Sequence, residues 1–371
     1  MRSLYHLLLL CASCTAALIS TRSHAVTIPA AAQDGPSTVG TTYQGYGLDG
    51  PKVHPINSTV FDWWYFDAVS ADSLASITIV FLADSPTAFP ANINGSTVLD
   101  AAVSGSFANG TTFYLNTYPA KAEITSAGYG SHGQWGSGRG WTGTADAKTW
   151  EIYYDSADVG VKGSMCLESI APPHLPCGPV KQGAIEQQMP HVGWANVVPD
   201  AIAHVEFKIA GESLQFSGPG YHDKNWGDQP WLASINSSYW GHSRLGPYSV
   251  VWADARDPEG KEYFSGYVAE GGKILSASCA LNSVMVRPWG GDSTYPPVLG
   301  QGDPKGFEVT FSVEDHVMRI NVTSSLVVAG DPGVYTRFIG SSRGGVCWGA
   351  AACVEPSLLP PYREHCHGGM L

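Results

Sequence analysis

The chain has 371 residues, enough for two domains with sizeable cores. Hydrophobic residues make up 44% and charged residues only 14%, a balance that excludes a disordered chain. A net charge of −12, with no basic run to offset it, argues against nucleic acid or an anionic membrane as partner.

The first 25 residues read as a secretory signal peptide. Arg2 supplies the positive start, residues 7–19 an apolar run too short to span a bilayer, and Ser23-His24-Ala25 a small-x-small cleavage site. No later segment approaches the ~20 apolar residues of a membrane span. The expected location is the secretory pathway, either outside the cell or in the lumen of a secretory vesicle. Glycosylation sequons at Asn57, Asn94, Asn109, Asn236 and Asn321 fit that route. The cysteines beyond the signal (Cys166, Cys177, Cys279, Cys347, Cys353 and Cys366) are even in number, as disulfides require. Short spacings favour local bridges Cys166–Cys177 and Cys347–Cys353.

Residues 26–45 read as a loose arm. The next segment, Phe61-Asp62-Trp63-Trp64-Tyr65-Phe66-Asp67, reads as a strand with two aromatic faces. Trp63 and Tyr65 point one way and Trp64 and Phe66 the other. One face can line a ligand cavity while the other packs, or both can be buried in core. Asp62 and Asp67 bracket the cluster and are placed to anchor neighbouring hydroxyl or N–H groups. Residues 76–82 and 149–154 are rich in β-branched and aromatic side chains and read as strands. Residues 128–143 read as a glycine-rich loop, and with no helix following it is not a phosphate cradle. Residues 171–179 read as a second loop.

The most informative stretch is Gly218-Pro219-Gly220-Tyr221-His222-Asp223-Lys224-Asn225-Trp226-Gly227. On an extended strand Tyr221, Asp223 and Asn225 share one face, and His222, Lys224 and Trp226 share the other. Either triad can set a hydrogen-bond donor over an apolar floor, or the polar groups can simply satisfy backbone at a barrel corner. A domain boundary is placed near 230, giving an N-terminal β domain (26–230) and a C-terminal β-barrel (231–371). Trp240, His242, Arg244, Tyr248 and Trp252 follow closely, with Tyr248 and Trp252 on one strand face. They read as pocket wall or as core. Turns at Asp257-Pro258-Glu259-Gly260, Gly271-Gly272 and Asp315-His316 divide alternating strands into hairpins. The tail carries His365-Cys366-His367, read as a disulfide cysteine beside solvated histidines rather than a metal site. Gly (43) and Pro (25) recur as turns do in all-β proteins, and no window holds a long amphipathic helix. Neither a Gly-x-Ser-x-Gly elbow nor a His-Glu-x-x-His helix is present, so hydrolysis lacks its usual signs.

The Asp62-Trp63-Trp64-Tyr65 run, with Gly220 to Gly227 near the middle, resembles the carotenoid hydratase/hydroxyneurosporene synthase-like superfamily. Within it the chain is similar to the fungal lipocalin-like Diels–Alderases. The resemblance implies two lipocalin-like antiparallel β-barrel or sandwich domains with a ligand pocket between them. It implies a cofactor-independent cyclase catalysing a [4+2] cycloaddition in secondary metabolism, with no metal and no cofactor. The secretory leader tilts the expectation toward the hetero-Diels–Alder branch, which couples a tropolone quinone methide to a humulene-type sesquiterpene. The expected partner is an apolar small molecule, a terpenoid or polyketide. Tyr221, His222, Lys224 and Asn225 are candidate catalytic donors. Trp63, Trp64, Tyr65, Asp223, Trp226, Trp240, Tyr248 and Trp252 are candidate pocket residues. A terpenoid hydratase using Asp223 or His222 as acid, and a non-catalytic ligand or sugar carrier, are the alternatives.

Overall fold

The computed structural model describes residues 24–89, 95–331 and 335–347, with the backbone of 353–354 and 365–370. The expected signal sequence, save His24 and Ala25, and the Asn94 sequon lie outside these residues, as do the side chains of the His365-Cys366-His367 tail. The architecture is all-β and antiparallel, with two large curled sheets and, among the described residues, one short helix, α1 (Trp231–Ser234). No described helix is long and apolar enough to cross a membrane.

The first sheet contains β1 (His24–Pro29), β2 (Phe61–Val69), β3 (Ser76–Ala83), β4 (Leu99–Ser106), β5 (Thr112–Thr117), β6 (Lys121–Ala127), β7 (Gly130–Trp135), β8 (Arg139–Gly143), β9 (Thr149–Ser156), β10 (Val161–Ser169), β11 (Val192–Ile209) and β12 (Glu212–Gly227). Its order is β1-β6-β7-β8-β9-β10-β11-β12-β2-β3-β4-β5, so the late strands β11 and β12 are inserted against the early β2. The second sheet contains β13 (Ser237–Leu245), β14 (Tyr248–Arg256), β15 (Glu262–Glu270), β16 (Lys273–Ser278), β17 (Val284–Trp289), β18 (Gly306–Val313), β19 (His316–Asp331), β20 (Tyr335–Cys347) and β21 (His365–Met370), in the order β16-β15-β14-β13-β21-β20-β19-β18-β17.

Each sheet curls around its own core. The first encloses Trp64, Phe66, Trp135, Trp141, Trp150 and Trp226; the second encloses Trp252, Phe264, Phe307, Phe311 and Phe338. Period-two burial produces this directly, as in β9, where Trp150, Ile152 and Tyr154 point inward and Thr149, Glu151 and Asp155 outward.

Three local expectations change. Residues 128–143 are not a loop but carry β7 and β8, because their glycines are packing surfaces. A Cβ on Gly133 would stand 2.3 Å from the Trp141 ring, and one on Gly143 2.4 Å from Trp150. The arm at 26–45 is not loose at its start. Val26 and Ile28 are buried, and β1 pairs with β6 from His24↔Ser126 to Pro29↔Lys121. The β18–β19 turn is Glu314-Asp315, one residue earlier than expected, with Glu314 at φ 49°.

The disulfide also differs. Cys177 bonds to Cys279, not to Cys166, which is exposed on β10 as a free thiol. The reason is where the 171–179 segment runs. It is not a plain loop but a short hairpin, His174–Leu175 against Gly178–Pro179, that stays paired to the first sheet at His174↔Asn196 and also lies on the second, with Tyr267 Oη donating to Pro172 O (2.9 Å) and Ser265 Oγ to Pro176 O (2.8 Å). The bridge therefore ties the two halves together. At the other end of the chain the backbone register sets Cys353 opposite Cys347. The Cys177–Cys279 bridge spans 102 residues of sequence, a long loop to leave open in the unfolded chain. Cys177→Ser is expected to lower unfolding stability by about 2–5 kcal/mol, measured in urea, with no difference from wild type once reductant is present.

Candidate active site

The strands β2 and β12 are buried along both faces where they pair. Their register sets Trp63 opposite Asn225, Tyr65 opposite Asp223, and Asp67 opposite Tyr221. These six share the face turned away from the first core. On the same face β11 adds Trp194 and Asn196, β3 adds Thr78, Val80 and Leu82, β4 adds Asp100 and Ala102, and β5 adds Tyr114 and Asn116. The second barrel lays Trp240 and His242 of β13, Val251 and Ala253 of β14, Tyr267 of β15 and Arg337 of β20 against it. Val80, only partly buried, touches both the Trp63 cluster and the Tyr65 cluster and forms a floor between them.

A polar network crosses this seam. The Asp223 carboxylate accepts from Trp194 Nε1 (2.7 Å) and Tyr221 Oη (2.7 Å). Burial lifts Asp223 to about 6, and those two donors oppose the rise. Tyr221 also meets the Asn196 amide, yet a phenol has one proton to give. The network closes when Asn196 turns its N–H toward the Tyr221 oxygen and Tyr221 donates to Asp223. Asp67 accepts from Tyr65 Oη (2.7 Å) and lies 3.0 Å from His242 Nε2, while the His242 ring stacks on Tyr221 at 4.1 Å. The Arg337 guanidinium lies 4.8 Å from the Tyr65 ring centroid and 5.6 Å from that of Tyr335. Burial works against its charge, but Tyr335, Tyr65 and Asp67 more than compensate and hold it cationic.

Asp100 stands apart from this network. It is 2% exposed, and its Oδ1 has no hydrogen-bond partner. Burial lifts its carboxyl to about 7, opposed only by the Ala101 amide. On the same face Asn116 Oδ1, Thr78 Oγ1 and Arg337 Nε are also unpartnered. A closed core satisfies its polar atoms, so a set of enclosed polar atoms left without partners singles out this end of the seam. Tyr114, 53% exposed at the rim, feels both the Asp100 carboxyl and the Arg337 guanidinium.

Strand alternation divides the expected site residues. Tyr221, Asp223, Asn225, Trp63, Tyr65 and Trp240 come together at the seam. Trp63 is boxed by Phe61 (4.9 Å), Phe89 (4.7 Å) and Trp231 (5.2 Å), and its Nε1 donates to Asn225 Oδ1 (3.1 Å). His222, Lys224, Trp64 and Trp226 do not reach the seam; they point into the first barrel. There Lys224 ion-pairs with Asp62 and sits 3.9 Å over Trp64, while His222 bridges Tyr65 O (2.9 Å) and Asp49 Oδ1 (3.0 Å). Trp252 belongs to the second core and Tyr248 packs at its edge, so neither lines the seam. Asp62 and Asp67 both act as anchors, Asp62 also accepting from Lys52 N at 2.6 Å. Sequence reasoning missed Asp100, Arg337, Trp194 and Asn196. A signal for Asp100 was available, a single charge within Leu99-Asp100-Ala101-Ala102-Val103; Arg337 shares its strand with Arg343 and had none.

Two curled antiparallel sheets with an aromatic, acid-bearing seam define a small-molecule enzyme of the paired β-barrel kind. The Diels-Alderase-like family model matches residues 30–285, and the chain belongs to that family. It is 41% identical over 307 residues to the quinolone epoxide rearrangement protein penF of Penicillium thymicola, covering 81% of this chain and 84% of that one. It is 38% identical over 317 residues to the quinolone epoxide rearrangement protein asqO of Emericella nidulans, covering 84% and 86%. Its fold matches the crystal structure of CghA with Sch210972 at a TM-score of 0.73 and 17% identity, over 93% of this chain and 98% of that one. The protein is thus an enzyme of the cyclase or isomerase type acting in secondary metabolism.

Two substitutions separate the seam from the barrel interior. Because folding raises the Asp100 pKa, the wild-type fold loses stability as pH climbs from 3.8, the ordinary carboxylate value, through about 7. Asp100→Asn removes that loss, and is expected to stabilise the protein by a few kcal/mol more at pH 8 than at pH 4 in urea melts. In the interior, burial pushes Asp62 up and Lys224 down, against their mutual attraction. Lys224→Met leaves Asp62 buried without its cation and is expected to cost about 3–5 kcal/mol, read by the same melts.

Proposed function

We propose that the enzyme rearranges an epoxide carried on an apolar scaffold, with Asp100 as the acid, in the seam between the barrels. The observation that carries this reading is the Asp100 carboxyl: buried, with Oδ1 lacking a hydrogen-bond partner, and lifted to about 7 by burial. Such a group keeps a proton to give near neutral pH, where an ordinary carboxylate has lost it. The two relatives named for quinolone epoxide rearrangement support it.

In the proposed step the Asp100 O–H bond breaks as its proton moves to the epoxide oxygen. One C–O bond opens, and its electron pair stays on that oxygen. The carbocation left behind meets the π faces of the seam, each stabilising a cation by about 0.5–2 kcal/mol. A hydride or alkyl group migrates to the cationic carbon and leaves a protonated carbonyl, which returns its proton to Asp100. The net change is isomerisation. Arg337 holds a carbonyl at the other end of the substrate, and Val80 with the Trp63 box forms the apolar floor that keeps water out.

A second reading is a cycloaddition. The unpartnered Arg337 Nε favours it, since a donor fixed on an activated carbonyl in an apolar cleft is what a [4+2] reaction requires. The tropolone–humulene coupling is a finer form of this reading, and the quinolone-named relatives weigh against it. We place the enzyme in the secretory pathway on the strength of its leader and sequons, with a terpenoid or polyketide moiety on its substrate.

Purified protein given a quinolone epoxide is expected to return an isomer of unchanged mass, with no oxygen taken from labelled water. Asp100→Asn is expected to lower kcat/KM by about 10²–10⁴-fold. The wild-type rate is expected to fall as pH rises past about 7, because the acid must be protonated to act. Wild-type turnover by Asp100→Asn, or label in the product, sinks the reading.

A further inference from the structure

On the outer face of the second barrel lies a groove of about 500 Å3, lined by Trp289, Asn321, Thr323, Ser341, Arg343 and Gly344. Four strands build it. Trp289 at the end of β17 pairs with Gly306, Gly306 with Thr323, and Thr323 with Ser341, so the lining runs straight across β17, β18, β19 and β20. Gly306 is the gap in that line. A Cβ there would stand 2.6 Å from the Trp289 indole, so the ring lies flat over the bare backbone. The indole is only partly buried, with its Nε1 enclosed and part of the ring exposed.

Asn321 and Thr323 are the two chemical residues of the Asn321-Val322-Thr323 sequon. Alternation turns Val322 into the core and both of these outward, and both are exposed. Anything attached to Asn321 Nδ2 must therefore start inside the groove. The lining suits one ligand class in particular. A flat indole meets the C–H face of a sugar ring, while the Thr323 and Ser341 hydroxyls and the Arg343 guanidinium meet its hydroxyl and acetamido groups. The Asn57 sequon differs: its side chain donates to Gly35 O (3.1 Å) and accepts from Thr59 N (2.9 Å).

We propose that Asn321 carries an N-linked sugar whose first residue stacks on Trp289 and fills this groove as a structural part of the second barrel. The linkage forms as Asn321 Nδ2 bonds to the anomeric carbon of a lipid-diphosphate-linked oligosaccharide, releasing the lipid diphosphate and the amide proton. This inference rests on the secretory location proposed above and is independent of the Asp100 chemistry.

The test is the full chain secreted from a filamentous fungus, mapped by peptide mass and melted before and after enzymatic deglycosylation. A sugar on the Asn321 peptide is expected. Trp289→Ala is expected to lower Tm by about 3 °C more in the glycosylated protein than in the Asn321→Gln background, where the sugar is missing. Trp289→Phe, which keeps a ring, is expected to lose only part of that difference. Sugars on Asn57, Asn109 or Asn236 with none on Asn321 overturn the inference, as do equal losses of Tm in both backgrounds. An absence of sugar from every sequon overturns it together with the secretory reading.

Discussion

The structure depends on one constraint: the paired strands β2 and β12 are sealed on both faces. Their inner face completes the tryptophan-rich core of the first barrel, and their outer face is covered by the second. Side chains therefore alternate between two unrelated jobs along a single stretch of chain. Lys224 and His222 are spent on the interior, in a fully buried network with Asp62 and Asp49. Tyr221 and Asp223, their immediate neighbours, are spent on the seam. A one-residue slip of register would exchange the two sets, placing a lysine against Trp240 and a carboxylate against Trp64. Both outcomes would leave charge buried without a partner, so the pairing is held firmly.

The seam is then a rigid wall rather than a flexible surface. Asp223, Tyr221, Trp194 and Asn196 brace one another, and Asp67 braces Tyr65 and His242. Against this wall Asp100 is an exception that costs the fold stability. Among the described residues no charge offsets its burial, and its Oδ1 has no hydrogen-bond partner. Proteins retain such groups where chemistry needs them, and the isolation that destabilises the fold is what keeps the proton available. Arg337 is the opposite case, a cation kept charged by phenols and a carboxylate beside it. An acid that holds its proton and a base that never yields one give the cleft a polar direction, along which an asymmetric substrate can be laid in one sense.

Much of this was legible in the sequence because the strand period is two. The aromatic run at Trp63 to Phe66 and the Tyr221 to Trp226 segment could be divided into faces without coordinates, and the division holds residue for residue. The period alone does not say which face turns to the seam, and Lys224, His222, Trp64 and Trp226 turn to the interior of the first barrel. The glycines at 133 and 143 misled because glycine serves turns and tight ring packing equally, and the partner rings of Trp141 and Trp150 are recognised only once β7 to β9 are aligned. The Cys177–Cys279 bond was hidden for a similar reason: it joins segments that are neighbours only after both barrels have formed. Asp100 carried a faint mark, a single charge in an otherwise uncharged strand, that no motif amplified, and Arg337, which shares its strand with Arg343, carried none.

The covalent tie between Cys177 and Cys279 has a mechanical consequence. It fastens the two barrels on the side where Tyr267 and His174 stack, while elsewhere β19 rests on β4 and β5. A pair of rigid bodies pinned along one margin does not part evenly. Like a book held at the spine, it is held closest along that margin and is freer away from it.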